Sequence, residues 1–188
     1  DSNKFMIGII SRLTDQKGLD LVNRVIEQIL DENTQLVVIG TGEPRYENLF
    51  KHFQWKYPDR VSANIFFSEQ RAHKLYAAAD AMLVPSRFEP CGLTQLIALR
   101  YGTIPIVRET GGLKDTVSPY NEYENSGNGF SFGNYDSYDM LNVINYAKTI
   151  YFTQNEKWQE IIIRAMKSDF SWNYSADQYA GMYNWLSN

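Results

Sequence analysis

The sequence predicts an α/β fold, a Rossmann-like three-layer sandwich built on a mostly parallel sheet. Two observations carry that expectation. Apolar runs of strand length alternate with helical stretches through the first two thirds of the chain, the pattern of parallel strands covered by helices on both faces. The residues suited to chemistry fall in the loops after the strands, and in an open parallel sheet that edge is where ligands bind.

Phe5 to Ile10 reads as the first strand, followed by a polar loop, Ser11 to Gly18. A helix follows from about Leu19 to Leu30, because Leu19, Val22, Val25, Ile26 and Ile29 recur at i, i+3, i+4 spacing. Gln35 to Gly40 is the second strand, and Thr41-Gly42-Glu43-Pro44 turns into a second helix to about Tyr57, with Pro44 suited to its first turn. Val61 to Phe67 is the third strand, Arg71 to Ala79 an alanine-rich helix and Ala81 to Pro85 the fourth strand. Gly92 to Arg100 is the next helix and Ile104 to Val107 the fifth strand. Asn121 to Gly129 has the composition of an exposed loop, and Gly129 to Phe132 reads as a short edge strand. Helices then run over Ser137 to Tyr151, Glu156 to Lys167 and Ser175 to Leu186, the last opening on a capping box between Ser175 and Gln178.

At about 150 residues per domain, 188 residues make one domain, 1–188. With 44% hydrophobic and 21% charged residues the chain is globular rather than disordered. Its 22 acidic residues outnumber the 18 basic ones and form no runs, so the electrostatic footprint of a nucleic-acid binder is missing. Cys91 is the single cysteine, which excludes an internal disulfide and a cysteine zinc site and suits a reducing cytoplasm. No apolar run approaches the roughly 20 residues of a membrane helix, so no membrane role is expected. The polar start, Asp1-Ser2-Asn3-Lys4, lacks an initiator Met and leads at once into a strand, so the chain reads as an excised fragment.

Three loops carry candidate chemistry. After the first strand, Arg12 and Lys17 set two cations five residues apart, a grip suited to a diphosphate: a forked guanidinium and a mobile ammonium. The plainer reading is a pair of solvated surface charges. After the fourth strand, Pro85-Ser86-Arg87-Phe88-Glu89-Pro90-Cys91-Gly92-Leu93-Thr94-Gln95 puts a carboxylate just before a helix start whose free backbone amides can bind phosphate, with Gly92 allowing close approach and Thr94 adding a hydroxyl. Here the plainer reading makes Glu89 and Pro90 a helix cap. After the fifth strand, the Gly111-Gly112 pair makes a turn that brings backbone close to the cleft. None of these fits the three-glycine dinucleotide fingerprint, which disfavours a nicotinamide enzyme. His52 and His73 lie outside the loops, and a metal site is not expected. Tyr120, Tyr123, Tyr135 and Tyr138 offer rings to a sugar surface, although half-buried packing is their commoner use.

Taken together, Ser11-Arg12-Leu13 with Lys17-Gly18, the segment from Pro85 to Gln95, Thr110-Gly111-Gly112-Leu113 and Asp115-Thr116-Val117 resemble the C-terminal domain of bacterial glycogen synthases and plant starch synthases, over about Phe5 to Leu186. The resemblance implies the C-terminal half of a GT-B fold and a retaining transfer of glucose from ADP-glucose to the nonreducing end of an α-1,4-glucan. It implies that Arg12 and Lys17 hold the donor diphosphate with Thr94 and the backbone of Gly92 and Leu93, with Gly111 and Gly112 beside them. Glu89 matches the essential acid near the donor glucose, as a positioner or a nucleophile, and Phe67 matches an aromatic that stacks on adenine; otherwise Phe67 is a core residue beside Phe66. No cofactor beyond the donor is implied. The partners implied are ADP-glucose or ADP, the glucan and an N-terminal domain that supplies a Lys-x-Gly-Gly loop, which does not occur here. The compartment implied is the cytoplasm in a bacterium or the stroma in a plant. In the wider group of related transferases a second glutamate follows eight residues after the first; here that place is Ile97, which leaves the ribose contact to other residues. The rival readings are a GT-B enzyme with another donor or reaction, such as a sucrose-related transferase, an epimerase or a phosphorylase, and a noncatalytic nucleotide-binding module.

Overall fold

A computed structural model describes residues 3–187; Asp1, Ser2 and Asn188 lie outside the described residues. Among the described residues six strands, β1 (Phe5–Ile10), β2 (Thr34–Ile39), β3 (Val61–Asn64), β4 (Ala81–Val84), β5 (Ile104–Arg108) and β6 (Phe130–Phe132), form one sheet in the order β3-β2-β1-β4-β5-β6. Every pairing is parallel, so the expected mostly parallel sheet is parallel throughout, with β6 at its edge. The strand order reverses between β1 and β4, the switch point at which sheets of this kind bind ligands in a crevice outside the carboxyl ends of the strands.

Helices α1 (Leu19–Ile29), α2 (Pro44–Lys56), α3 (Glu69–Ala78), α4 (Thr94–Tyr101), α5 (Gly111–Thr116), α6 (Ser137–Thr153), α7 (Asn155–Lys167) and α8 (Trp172–Leu186) complete the chain. Because side chains alternate across a strand, β1 sends Ile7 and Ile9 to one face and Met6 and Ile10 to the other, and β4 divides Ala81 and Leu83 from Met82 and Val84 in the same way. One face packs on α1, α2, α6 and α7. Phe5 closes its lower end edge-on against Tyr151 and Trp158, with ring centroids 5.0 and 5.7 Å apart. The other face packs on α3, α4 and α5.

Four local expectations change. β3 stops at Asn64, the last residue in register with β2 at Ile39; beyond it Ile65 to Phe67 have no ladder partner, and the Phe66 amide turns back to the Asn64 carbonyl (3.0 Å). The glycine pair at 111–112 opens a helix, α5, rather than a bare turn. Asp15–Lys17 forms a 3-10 turn inside what reads as loop. The last helix starts one turn early because the Ser171 hydroxyl accepts from the Tyr174 amide (3.2 Å); Ser175 lies inside the helix, donating to the Ser171 carbonyl, so no capping box forms there. α8 buries none of its residues.

At the sheet's opposite end the buried Lys148 of α6 pairs with Asp31, whose Oδ1 also accepts from the Thr34 hydroxyl (2.7 Å). Burial pushes the Asp31 carboxyl up, but the bonds from Lys148 and Thr34 outweigh it and hold it below its ordinary value. Such a group contributes stability that is present above its unfolded pKa of about 3.9 and is lost as pH falls through the folded one. In urea titrations Asp31→Asn is expected to unfold at a lower midpoint than the wild type at pH 7, with the gap closing below about pH 4. A gap that does not change with pH would show that the pair contributes nothing.

Candidate functional site

The loop after β1 is fixed to the strands on either side of it. Buried Leu13 bridges to the loop after β2: its amide donates to the Thr41 carbonyl (2.9 Å), and its carbonyl accepts from the Glu43 amide (2.8 Å). The 3-10 turn then ends at Gly18, whose φ of 71° is left-handed. A Cβ there would lie 1.9 Å from the Pro85 carbonyl oxygen at the end of β4, so only glycine lets the two loops touch. Gln16 locks that contact from the other side, its carbonyl accepting from the Arg87 amide (2.9 Å) and its side-chain amide donating to the Phe88 carbonyl (3.1 Å).

This clamp brings Lys17 and Glu89 together across 72 residues of sequence. The Lys17 ammonium lies 2.5 Å from Glu89 Oε2, and the two side chains are only 17% and 12% exposed. The Ser86 hydroxyl donates to the same oxygen (3.2 Å). Glu89 is therefore no simple helix cap: α4 starts at Thr94, and its N-cap, Leu93, provides no side-chain acceptor, which leaves the amides at that helix start free for an anion. Glu89, Lys17, Ser11, Ser86 and Thr94 line one small hollow between β1 and β4.

A second, more apolar hollow adjoins it and shares Ile10 and Ser11 with it. Arg12, Phe67, Thr41 and Ser68 stand in its wall. Phe67 is 85% exposed, which removes the reading of it as a core residue beside Phe66. Arg12 is exposed and makes no ion pair among the described residues, whereas Lys17 is already paired. The two cations expected to act alike thus stand in different electrostatic situations.

Gly92 is left-handed at the turn into α4, and Leu93 is exposed. Gly111 and Gly112 pack against the Glu89 loop: the Gly112 amide donates to the carbonyls of Glu89 and Pro90 (3.2 Å each), and a Cβ on Gly111 or Gly112 would lie 2.2 Å from the carbonyl oxygen of Glu89 or Cys91 respectively. Their need for glycine is thus accounted for by contact with the Glu89 loop. Cys91 is exposed and free. Ile97 packs against the α3–α4–α5 core. Among the described residues no cluster of His, Cys, Asp and Glu could hold a metal ion; His73 bonds the Tyr101 hydroxyl (2.9 Å), and His52 rests on Phe53 and Trp55.

Several positioning residues were missed at the sequence level. Gln95 is buried and donates to the carbonyls of Cys91 (3.0 Å) and Gly92 (2.9 Å) and to the Thr116 hydroxyl (3.2 Å), fixing the turn before α4. Tyr135 is a strut rather than a sugar platform: its hydroxyl donates to Asp20 (2.5 Å), and Arg87 and Arg108 lie over its ring at 4.7 and 5.4 Å. Burial, with Asp20 beside it, pushes that phenol up to about 12. Tyr120 is buried, and only Tyr123 and Tyr138 of the four tyrosines stand exposed. The sole sequence signal for Gln16 and Gln95 was their place inside the candidate loops.

The parallel sheet and its crevice define the doubly wound class of α/β proteins that bind ligands at a switch point. The chain belongs to the glycosyl transferases group 1 family, whose pattern matches residues 1–167. It is 63% identical over 186 residues to a glycogen synthase of Lachnospira eligens, a match that takes in 99% of this chain and 39% of that protein. It is 56% identical over 178 residues to a glycogen synthase of Clostridium acetobutylicum, with 95% and 37% covered. The chain thus spans about two fifths of the length of the curated relatives it matches. Among solved structures it is similar to the catalytic domain of starch synthase IV from Arabidopsis thaliana bound to ADP and acarbose: 36% identity, a TM-score of 0.87, and 98% of this chain and 38% of that one covered. The Rossmann-like domain of the GT-B glycosyltransferases is the fold these comparisons share.

The Gly18 contact yields a direct test. Gly18→Ala combines a left-handed φ with an overlap on backbone, and is expected to cost about 1–3 kcal/mol of stability by chemical denaturation. A variant as stable as the wild type would mean that the two loops are not clamped there.

Proposed function

We propose that this chain is the donor-binding domain of a retaining glycosyltransferase that moves glucose from ADP-glucose to the nonreducing end of an α-1,4-glucan, as a glycogen synthase does. The observation that carries this reading is the meeting of Lys17 with Glu89 at the sheet's switch point, beside a hollow walled by Arg12 and Phe67. The high identity to glycogen synthases and the likeness to a starch synthase holding ADP support the choice of donor and acceptor.

In this reading adenine stacks on Phe67, a contact worth roughly 1–3 kcal/mol by analogy with other base stacking. The diphosphate lies between Arg12, Lys17, the Thr94 hydroxyl and the backbone amides of Leu93 and Thr94, with Gly92 giving access. Gly111 and Gly112 act by holding the Glu89 loop. As the glycosidic bond to phosphate breaks, the departing ADP gains negative charge, so fixed cations beside it stabilise the transition state more than the ground state. One unit pair about 4 Å apart is worth about 4 kcal/mol at an intermediate dielectric, before desolvation. Glu89 then orients the sugar hydroxyls and faces the positive charge growing at the anomeric carbon. The acceptor glucan and the second wall of the cleft come from a further domain, for which exposed Phe88 and Leu93 at the crevice and the uncovered α8 provide apolar surface. A bacterial cytoplasm is the compartment this reading assigns, in keeping with bacterial relatives and a single thiol.

Two measurements check it. Calorimetric titration of the chain is expected to show ADP binding tighter than UDP, weakened by Phe67→Ala, while the chain alone incorporates no labelled glucose from ADP-glucose into glycogen. Incorporation by the chain alone, or UDP preference, would overturn the assignment. In the enzyme completed by its acceptor domain, Arg12→Ala and Lys17→Ala should each cost about 1.5–3 kcal/mol in kcat/KM, the range for a hydrogen bond to a charged group. Wild-type kinetics in either variant would reduce that residue to a surface charge.

A further inference from the structure

Lys17 cannot be read as a waiting phosphate ligand, because it is already engaged. Its ammonium is bound by Glu89 Oε2 at 2.5 Å, in a hollow where both side chains are largely withdrawn from solvent. Arg12, at the rim of the adjoining hollow, has no such counter-ion among the described residues. A diphosphate approaching this pair meets one free cation and one cation that a carboxylate already neutralises. It cannot reach Lys17 without also approaching Glu89, and two anions that share one ammonium repel each other strongly in a partly desolvated hollow.

We infer that Glu89 is a built-in competitor for the phosphate-binding lysine, and that donor binding trades the Lys17–Glu89 pair for a Lys17–phosphate pair. The inference rests on the reading of Arg12, Lys17 and Glu89 given above. Its consequence is an ordered exchange. The nucleotide is first captured at Arg12 and the apolar hollow, where nothing has to be displaced. Its diphosphate then takes Lys17, and Glu89, still held by the Ser86 hydroxyl, loses its cation and turns a full negative charge towards the sugar. The carboxylate is thereby strengthened as an electrostatic partner only when a donor able to claim Lys17 is in place. An anion too weakly held to displace Glu89, such as inorganic phosphate, is discriminated against by the same pair. Gly18 and Gln16 serve this exchange by fixing the loops on which the two residues sit, so that the ammonium can change partners while the backbone stays still.

The test is a double-mutant cycle read by ADP titration. Glu89→Gln, which keeps the shape and removes the charge, is expected to tighten ADP binding by about fivefold, even though it removes a residue of the site. Lys17→Ala is expected to weaken ADP binding by about fivefold more in the Glu89→Gln background than in the wild type, because only there is the lysine free to give its full attraction. Arg12→Ala should cost the same factor in both backgrounds. Inorganic phosphate should bind measurably tighter to Glu89→Gln than to the wild type. The inference is overturned if Glu89→Gln leaves ADP affinity unchanged or lowers it, or if the Lys17→Ala penalty is the same in both backgrounds. If ADP binds neither protein, the assignment of the site fails with it, whereas ADP binding without coupling removes the exchange alone. Circular dichroism of each variant establishes that it is folded, and Lys17→Met repeats the cycle with the stem's packing kept.

Discussion

The site depends on one backbone contact, the approach of Gly18 to the carbonyl of Pro85. A parallel sheet brings the ends of β1 and β4 side by side, but two loops leaving neighbouring strands would ordinarily splay apart around their side chains. A residue without a Cβ removes that obstacle, and Gln16 then ties the two backbones with a pair of hydrogen bonds. Lys17 sits between those two anchors. Its four-carbon stem would otherwise sample many rotamers; here the backbone beneath it is fixed and its head is bound, so most of that entropy is lost on folding rather than on binding a ligand. The Gly112 contact does the same from the far side, so the carboxylate loop is held between the loop after β1 and the start of α5.

Much of the scaffold was legible from residue order alone. Strands buried on both faces have to be continuously apolar, so β1, β2, β4 and β5 were visible as runs such as Leu36 to Ile39 and Ala81 to Val84, and helices with one buried stripe, α1 above all, were visible as periodicity. The candidate loops were found because the switch point gathers unusual residues at one edge. Elements decided by a local hydrogen bond or by a neighbour's length were not legible. Residues Val61 to Phe67 are apolar enough to continue as a strand, yet β2 ends opposite Asn64 and leaves Phe67 free to face the hollow. The spacing pointed to Ser175 as the start of α8, yet Ser171, four residues earlier, caps it by accepting from the Tyr174 amide. Paired glycines disfavour a helix by propensity, yet Gly111 and Gly112 begin one, at a place where the Glu89 loop leaves no room for side chains.

The residues that position the site were the least legible. Gln16, Gln95 and Tyr135 act on backbone carbonyls, on arginines or on Asp20, and nothing in their spacing marks those partners. A carboxylate and a lysine announce chemistry by their type. A glutamine that pins a turn is indistinguishable, in sequence, from one that faces water.

The four tryptophans divide unequally, and that division decides what an optical experiment on this domain can see. Trp158 is buried between Phe5, Tyr151 and Phe130, whereas Trp55, Trp172 and Trp185 are 78%, 90% and 77% exposed. Indole emission shifts to longer wavelength in water, so three of the four fluorophores already emit as they would in an unfolded chain. An emission-based melting curve would follow one indole against a large constant background and would understate the loss of the core. The same imbalance makes α8 a natural reporter: anything that settles on Trp172 and Trp185 shifts the spectrum to the blue while the sheet beneath it stays unchanged.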